Sequence, residues 1–81
     1  MIVEIKMFAG ARQLADCDPC RVEVPESATI ADLRRALTEA VPALAGLAAH
    51  VRFAIDAEYA EETTIIEEGA EIALIPPVSG G

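Results

Sequence analysis

The stretch Thr29–Pro42, TIADLRRALTEAVP, decides how this chain folds. Thr29 provides an N-cap oxygen, and Asp32 stands three residues later, where the carboxylate of a capping box is expected. Pro42 should end the helix within about a residue, because its ring disfavours the helical conformation in the residue before it. Spacings of three and four residues predict an amphipathic helix of about three turns. Its apolar face comprises Leu33, Ala36, Leu37, Ala40 and Val41.

Alternation of apolar and polar residues on both sides of this helix predicts β-strands. Strands are predicted at residues 2–8, 20–24, 51–55, 58–60 and 70–75. The first two should pair as a hairpin that Pro25 ends. Residues 9–14 are expected to form a loop that can include a short helical turn, and residues 43–50 a connector that can contain a short helix. Ile65 is expected to be buried in the core, beneath the loop that follows Glu61 and Glu62.

Two strands, a helix and two or three further strands describe an α+β fold. This order matches the β-grasp, or ubiquitin-like, roll, in which a mixed four- to five-stranded sheet holds one main helix across its face. With 81 residues the chain has room for a single domain. We therefore predict a β-grasp domain at residues 1–75 and an extended tail at residues 76–81.

The charge of the chain excludes some classes of partner. Its net charge is −8, and no basic residue follows Arg52. Such a surface repels phosphate backbones and anionic membranes, so neither nucleic acid nor membrane is an expected partner. The N-terminus lacks the pattern of a secretory signal, and no apolar stretch approaches the roughly 20 residues of a membrane span. The expected location is the cytoplasm.

The chain ends in Pro76-Pro77-Val78-Ser79-Gly80-Gly81. Two prolines cannot donate to a sheet and favour a stiff, extended segment. Two glycines have no side chain, so they can enter a channel too narrow for a Cβ atom. Six residues at ~3.3 Å each reach roughly 20 Å beyond the domain. The alternative is a frayed terminus, but the order of strand, prolines and glycines favours delivery of the Gly81 carboxylate into another protein.

A second candidate site is a docking patch on the outer sheet face beside the tail. Its predicted members are Phe8, Arg12, Tyr59 and Ile75. Phe8 and Tyr59 are the expected aromatic anchors. The alternative is a set of scattered exposed apolar residues, which is common on protein surfaces.

Cys17 and Cys20 invite a metal or a redox interpretation. A structural zinc site needs four ligands, and no second pair of cysteines exists. A thioredoxin-type site expects the pair at the start of a helix, whereas the residues after Cys20 alternate as in a strand. We interpret both as incidental loop cysteines, and the single histidine, His50, as a surface residue.

The whole chain resembles the sulfur-carrier branch of the ubiquitin-like proteins, the MoaD/ThiS group, and within it the small subunits of molybdopterin synthase. The resemblance rests on Phe8-Ala9 with Arg12, on Thr29, Leu33, Leu37 and Pro42 in the helix, on 68–73 (EGAEIA), and above all on 75–81 (IPPVSGG). Pro-Pro-Val-x-Gly-Gly is typical of the molybdopterin members. Gln13, Ile55-Asp56 and Ala70 depart from the usual pattern.

The resemblance implies a carrier whose catalytic groups lie on other proteins. A ubiquitin-activating-like adenylyltransferase would use ATP to adenylate the Gly81 carboxylate, and a persulfide donor would convert it to a thiocarboxylate. Residues 76–80 would insert this group into the large subunit of molybdopterin synthase, in a heterotetramer, to sulfurate a cyclic pyranopterin monophosphate. The chain itself is expected to bind no cofactor and no metal.

Two other functions remain open at this point. One is sulfur carriage for another pathway, such as thiamine or cysteine synthesis. The other is a ubiquitin-like protein modifier joined through Gly81 to lysines of target proteins.

Overall fold

The computed structural model describes residues 1–76, where the chain forms five strands and three α-helices. The strands are β1 (Ile2–Lys6), β2 (Cys20–Glu23), β3 (Arg52–Ile55), β4 (Glu58–Tyr59) and β5 (Ile72–Ile75). The helices are α1 (Ala9–Ala15), α2 (Ile30–Ala40) and α3 (Ala45–Ala48), and a 3-10 turn at Pro42–Leu44 precedes α3. The predicted residues 77–81 of the tail lie outside the described part of the chain.

The five strands form one mixed sheet in the order β2-β1-β5-β3-β4. β1 pairs with β2 in antiparallel fashion, as the hairpin prediction requires, and with β5 in parallel. β3 pairs in antiparallel fashion with β5 and with β4. This arrangement confirms the predicted β-grasp fold and makes β5 the central strand. Among residues 1–76, no helix combines the length and apolar character needed to cross a membrane.

The main helix begins and ends where the sequence predicts. Thr29 Oγ1 accepts a hydrogen bond from the Asp32 amide at 3.3 Å, and Asp32 Oδ2 accepts one from the Thr29 amide at 3.0 Å. Hydrogen bonds from the Thr29 backbone and side chain to the Asp32 carboxylate lower the pKa of Asp32, because they favour its charged form. Ile30, Leu33 and Leu37 are the buried residues of α2. Ala40, expected on the apolar face, is exposed.

The core lies between α2 and the inner face of the sheet. Its largest fully buried side chains are Ile5, Met7, Ile30, Leu33, Leu44, Phe53 and Leu74. Val3, Ile5 and Met7 alternate inward along β1 and just past its end, as the period-two pattern predicts. Burial of these side chains is the main stabilising contribution to such a fold.

Arg34 ties three segments together from the exposed side of α2. Its guanidinium forms a two-pronged ion pair with Glu62, with nitrogen–oxygen distances of 3.0 and 2.6 Å. It also donates to the carbonyl oxygens of Ala48 and Val51, the latter at 2.8 Å, and lies 5.2 Å from the centroid of the Phe53 ring. The hydrogen bond from Arg34 lowers the pKa of Glu62. Helix, connector and loop are thereby held in one arrangement.

The segment after β1 differs from its prediction. The expected loop at residues 9–14 is the helix α1, which begins after Phe8 and ends at Asp16 in the left-handed conformation (φ 56°). The Phe8 side chain makes no capping hydrogen bond, so the sequence carries no usual start signal. Ala11 is fully buried, which indicates that tertiary packing, rather than propensity, stabilises this short helix.

The expectation for Ile65 is also wrong, by one residue. Ile65 is 57% exposed, whereas Ile66 is 2% exposed and belongs to the core. The Ile66 amide donates to the Ala28 carbonyl at 2.8 Å, and Ile65 bridges to Thr29. This pairing turns the side chain of Ile66 inward, because neighbouring residues of an extended segment face opposite ways.

The interpretation of the two cysteines as incidental loop residues is wrong. Cys17 and Cys20 form a disulfide across the connection between α1 and β2, with their Cα atoms 5.1 Å apart. The sequence interpretation failed because it weighed only a zinc site and a thioredoxin-type site, whereas the turn itself brings the two sulfurs together. Cys20 is 2% exposed and packs in the core, and Cys17 is half-buried against it.

Candidate functional site

The position of β5 determines where the tail leaves the domain. Ile72 and Leu74 point into the core, and Ala73 and Ile75 lie half-buried on the opposite, outer face. Asp56 anchors the start of this strand, since its amide donates to the Glu71 carbonyl at 2.9 Å and its Oδ1 accepts from the Glu71 amide at 3.1 Å. The last described residue, Pro76, therefore follows a strand that is fixed at its beginning and paired on both sides.

Pro76 is half-buried, directly beyond β5. The other predicted tail residues, Pro77, Val78, Ser79, Gly80 and Gly81, lie outside the described residues. Their roles stay predictions from the sequence.

The outer face of the sheet carries an open groove beside the end of β5. We call it the outer groove and define it by its apolar lining residues Ile2, Phe8, Ala54, Tyr59, Ala73 and Ile75. Ala54 is paired with both Ala73 and Tyr59, and paired residues share one face of a sheet. Ala54 and Ala73 lie at the centre of this surface, and their side chains are short. The larger side chains around them rise higher, so the surface between them is concave.

Three of the four residues predicted for the docking patch line this groove. Phe8 is 42% exposed and Tyr59 60% exposed, and Ile75 lies between them and the tail. The guanidinium carbon of Arg52 lies 4.0 Å from the centroid of the Tyr59 ring, which fixes the ring from one side. An aromatic ring held in place loses little entropy when a partner covers it.

Arg12, the fourth predicted residue, lies beside the groove rather than in its lining. It is on α1, one helical turn beyond Phe8, and its amide donates to the Phe8 carbonyl at 3.4 Å. Its side chain is 67% exposed and its Nε lies 3.8 Å from Asp18 Oδ2. An exposed ion pair of this length is weak, so the guanidinium is available to a partner at the rim.

Sequence reasoning missed several residues of the groove. Ile2 is 60% exposed and lines it, although its place on the polar face of β1 was visible in the alternation. Ala54 and Ala73 were not recognised because alanine gives no signal of a binding surface. Asp18 and Pro19 also line the groove, and only the folded turn brings them there.

The edge of the groove near the start of β5 is acidic. Glu67, Glu68 and Glu71 line it there, and all three are exposed. Gly69 between them has φ of 85°, a conformation that favours glycine and makes the turn possible. An apolar floor with an acidic edge suits a partner that presents apolar side chains beside Lys or Arg.

The described residues place three of the predicted docking residues in one groove. Within residues 1–76, no group of three or more His, Cys, Asp or Glu side chains could hold a metal ion. His50 is exposed and its amide donates to the Leu47 carbonyl at 2.8 Å.

Comparison with known proteins shows that the chain is similar to molybdopterin synthase sulfur carrier subunits and to a small archaeal modifier protein. A molybdopterin synthase sulfur carrier subunit from Caenorhabditis briggsae is 37% identical, over 98% of this chain and 96% of its own length. Small archaeal modifier protein 1 from Haloferax volcanii is 36% identical, over 98% of this chain and 100% of its own. Its crystal structure superposes with a TM-score of 0.86 at 34% identity, and the match covers 100% of both chains.

A more distant structure shares the fold. It is a chain of the protein–protein complex of subunits 1 and 2 of the molybdopterin-converting factor from Helicobacter pylori, with a TM-score of 0.69, 22% identity and 100% coverage of both chains. The model of the ThiS family matches residues 5–81, which is almost the entire sequence. The chain therefore belongs to the ThiS family.

Proposed function

We propose that this chain is the sulfur carrier of a molybdopterin synthase, with the sulfur held at the carboxyl carbon of Gly81. The observation that carries the proposal is the match to the ThiS family, which runs to residue 81 and so includes the Gly-Gly ending. The full-length similarity to a sulfur carrier subunit supports the molybdopterin pathway in particular.

The proposed chemistry uses the tail as a reusable acyl group. A bare carboxylate is a poor acyl donor, so an activating enzyme joins Gly81 to the AMP of ATP and releases pyrophosphate. A persulfide sulfur then displaces AMP and forms an acyl disulfide with the sulfur donor. A second thiol attacks the donor's sulfur in that disulfide, so the S–S bond breaks, the thiocarboxylate leaves, and the donor is left in a disulfide with the thiol. The thiocarboxylate sulfur attacks a cyclic pyranopterin monophosphate, and hydrolysis of the acyl link returns the carboxylate. Two such rounds supply the two sulfurs of a dithiolene.

In this proposal the chain is not an enzyme by itself. General acid–base groups and phosphate contacts belong to the large subunit, and residues 76–80 only reach its active site. The central position of β5 supports this division, because it holds the base of the tail rigid beside a docking surface.

The proposed partners dock on the outer groove. One is the large catalytic subunit, in a heterotetramer. The Helicobacter pylori structure, a complex of subunits 1 and 2 of the molybdopterin-converting factor, supports such a partner. The other is the ubiquitin-activating-like adenylyltransferase. Both need the tail, so the proposal places both on Phe8, Tyr59 and Ile75, with Arg12 at the rim. The cytoplasmic location stays a prediction.

A second candidate function is protein modification. It is favoured by the similarity to small archaeal modifier protein 1, which covers the full length of both chains. In that case the activated Gly81 carbonyl would be attacked by a lysine amine of a target protein, and an isopeptide bond would replace the thiocarboxylate.

A reconstitution followed by intact-mass measurement tests the proposal. The purified chain is incubated with the activating enzyme, ATP, a persulfide donor and a thiol, and then with the large subunit and cyclic pyranopterin monophosphate. We expect replacement of one oxygen by sulfur in the first step, and formation of molybdopterin with return of the original mass in the second.

Two tail variants serve as matched probes. Gly80→Ala adds a Cβ atom where a narrow channel requires none, so product formation should fall at least about tenfold. Ser79→Ala keeps the residue small and should leave product formation unchanged. Thiocarboxylate without molybdopterin would reject the pathway, and protein adducts without thiocarboxylate would favour the modifier.

A further inference from the structure

The Cys17–Cys20 disulfide lies at one end of the outer groove. It closes the turn between α1 and β2, and the two residues inside its ring, Asp18 and Pro19, line the groove together with Phe8. Neither the proposed sulfur chemistry nor the fold prediction uses this bond.

The disulfide is poorly suited to stabilising the fold. Cys17 and Cys20 are three positions apart, and a short ring removes little conformational entropy from the unfolded chain. The neighbouring β1–β2 hairpin is already held by four residue pairs, from Ile2 with Glu23 to Ile5 with Cys20. The bond therefore constrains the turn locally.

The turn positions the edge of the docking surface through Asp18. Asp18 Oδ1 accepts a hydrogen bond from the Met7 amide at 3.1 Å, directly before Phe8. Its Oδ2 lies 3.8 Å from Arg12 Nε. Asp18 thus contacts the residue before one predicted docking residue and the side chain of another.

The two sulfurs differ in access. Cys20 is 2% exposed, whereas Cys17 is half-buried at the surface of the core. The Cys20 sulfur also lies 3.2 Å from the Cys17 carbonyl oxygen, within reach of a thiol donor. After reduction, the Cys20 thiol therefore has a hydrogen-bond acceptor within reach.

We propose that Cys17–Cys20 is a reversible thiol–disulfide exchange site for a dithiol protein, and that its redox state sets the position of Phe8 and Arg12 at the groove. A thiolate of the dithiol protein attacks Cys17 Sγ, the S–S bond breaks, and Cys20 leaves as a thiolate that takes a proton. The second thiol of the partner then resolves the mixed disulfide. Two electrons and two protons pass to this chain, and the disulfide form of the same class of protein reverses the reaction.

The exchange is tested on the full chain with dithiothreitol as the dithiol probe. Mixtures of its reduced and oxidised forms are equilibrated with the protein, thiols are alkylated, and intact mass is measured. We expect one two-electron transition between an unalkylated and a doubly alkylated chain. A chain that stays doubly alkylated in excess oxidised dithiothreitol would overturn the proposal.

Single-cysteine variants test which sulfur is attacked. In Cys20→Ser, Cys17 should be alkylated at least about tenfold faster than Cys20 is in Cys17→Ser, because accessibility controls thiol reactivity. Equal rates would contradict attack at Cys17. Should a variant fail to fold, the rates of the two alkylations of the reduced wild-type chain, assigned by peptide mass, give the same comparison.

The link to the groove is tested by amide NMR spectra of both redox forms. Reduction should shift the amides of Met7, Phe8 and Arg12 and leave those at the end of α2 unchanged. Asp18→Ala in the oxidised chain should shift the same three amides, because it removes the acceptor that connects them. Changes confined to residues 17–20 would overturn the link. These readouts do not involve Gly81, so they are independent of the sulfur-carrier proposal.

Discussion

Arg34 joins α2 to two other segments of the described structure through its side chain. One guanidinium, with a side chain 21% exposed, joins α2 to the backbone before β3 and to the carboxylate of Glu62. A planar group with several donors can satisfy all these acceptors together, which a lysine amine cannot. The residue adds side-chain bonds between α2, the connector before β3 and the Glu62 loop, and the start of α2 also bonds to that loop through its backbone.

Replacing Arg34 should destabilise the fold. Arg34→Ala leaves two backbone carbonyls and a carboxylate without their donor, and we expect a loss of about 2 kcal/mol in the free energy of unfolding. Urea unfolding followed by circular dichroism measures it, since the chain has no tryptophan. Arg35→Ala removes an exposed pair with Asp32 and is the matched control, with a loss within about 0.5 kcal/mol. Equal losses would refute the special role of Arg34.

Glu62 should make the stability depend on acid pH. The hydrogen bond from Arg34 holds its pKa below the ordinary value of 4.5, so the folded state releases this proton more readily than the unfolded state. The resulting stabilisation is complete above the unfolded-state pKa and is lost as pH falls through the lower, folded-state pKa. The measurement is the unfolding free energy of wild type minus that of Glu62→Gln, from about pH 7 to about pH 3. This difference should shrink toward the acid end, and a constant difference would exclude the mechanism.

At the scale of elements, α1 and β5 both contribute to the proposed docking surface. α1 supplies Arg12 and begins at Phe8, and β5 supplies Ile75 and leads to Pro76. The two elements are far apart in the sequence but reach one groove, because β1, which precedes α1, pairs directly with β5.

Phe8→Asp separates docking from folding. Phe8 occupies the N-cap of α1 without a capping bond, and aspartate is a preferred N-cap residue, so the fold should keep its stability. Affinity for the large subunit should fall at least about tenfold, because a charge replaces an aromatic anchor. Isothermal calorimetry of the purified proteins measures it.

The control variant lies on the same helix. Leu14 is 48% exposed and is not among the residues lining the groove. Leu14→Asp should therefore leave affinity nearly unchanged. An equal loss in both variants would mean that the outer groove is not the interface.

Elements with strong local signals were predictable from the sequence. The capping box and Pro42 fixed the limits of α2, and period-two alternation identified β1, β2 and β5. α1 was predicted only as a loop that can include a helical turn, because its stability comes from burying Ala11, not from a cap or a periodic apolar face. The choice between Ile65 and Ile66 depended on a backbone pairing with the segment before α2, which no local pattern encodes.

The candidate site was predictable to a similar degree. Phe8, Tyr59 and Ile75 stood out as large apolar residues at polar-facing positions, and they do line one groove. The alanines of its floor and the disulfide at its end were not predictable, because small residues and short cysteine spacings have many uses. Only the arrangement of the strands brings these alanines and the disulfide to the same groove.

At the scale of the whole molecule, charge should control how fast partners meet. The net charge is −8, and acidic residues line one edge of the groove. We expect the association rate with the large subunit to fall severalfold between about 0.05 M and about 0.5 M salt, as screening shortens the reach of the field. Stopped-flow measurements test this.

Two double variants with the same change of net charge locate the effect. Glu67→Gln with Glu68→Gln removes charge at the groove, and Glu26→Gln with Glu39→Gln removes it away from the groove lining. Only the first pair should slow association and reduce its salt dependence. Equal effects would indicate that total charge, rather than its placement, matters.

The central position of β5 has a mechanical consequence. A force that pulls on the C-terminal end of β5 acts along the strand, across its hydrogen bonds with β1 on one side and β3 on the other. Under such a force these hydrogen bonds must break together rather than one by one. A domain built in this way tolerates traction on its end. We therefore expect the domain to stay folded when a partner protein pulls repeatedly on that end.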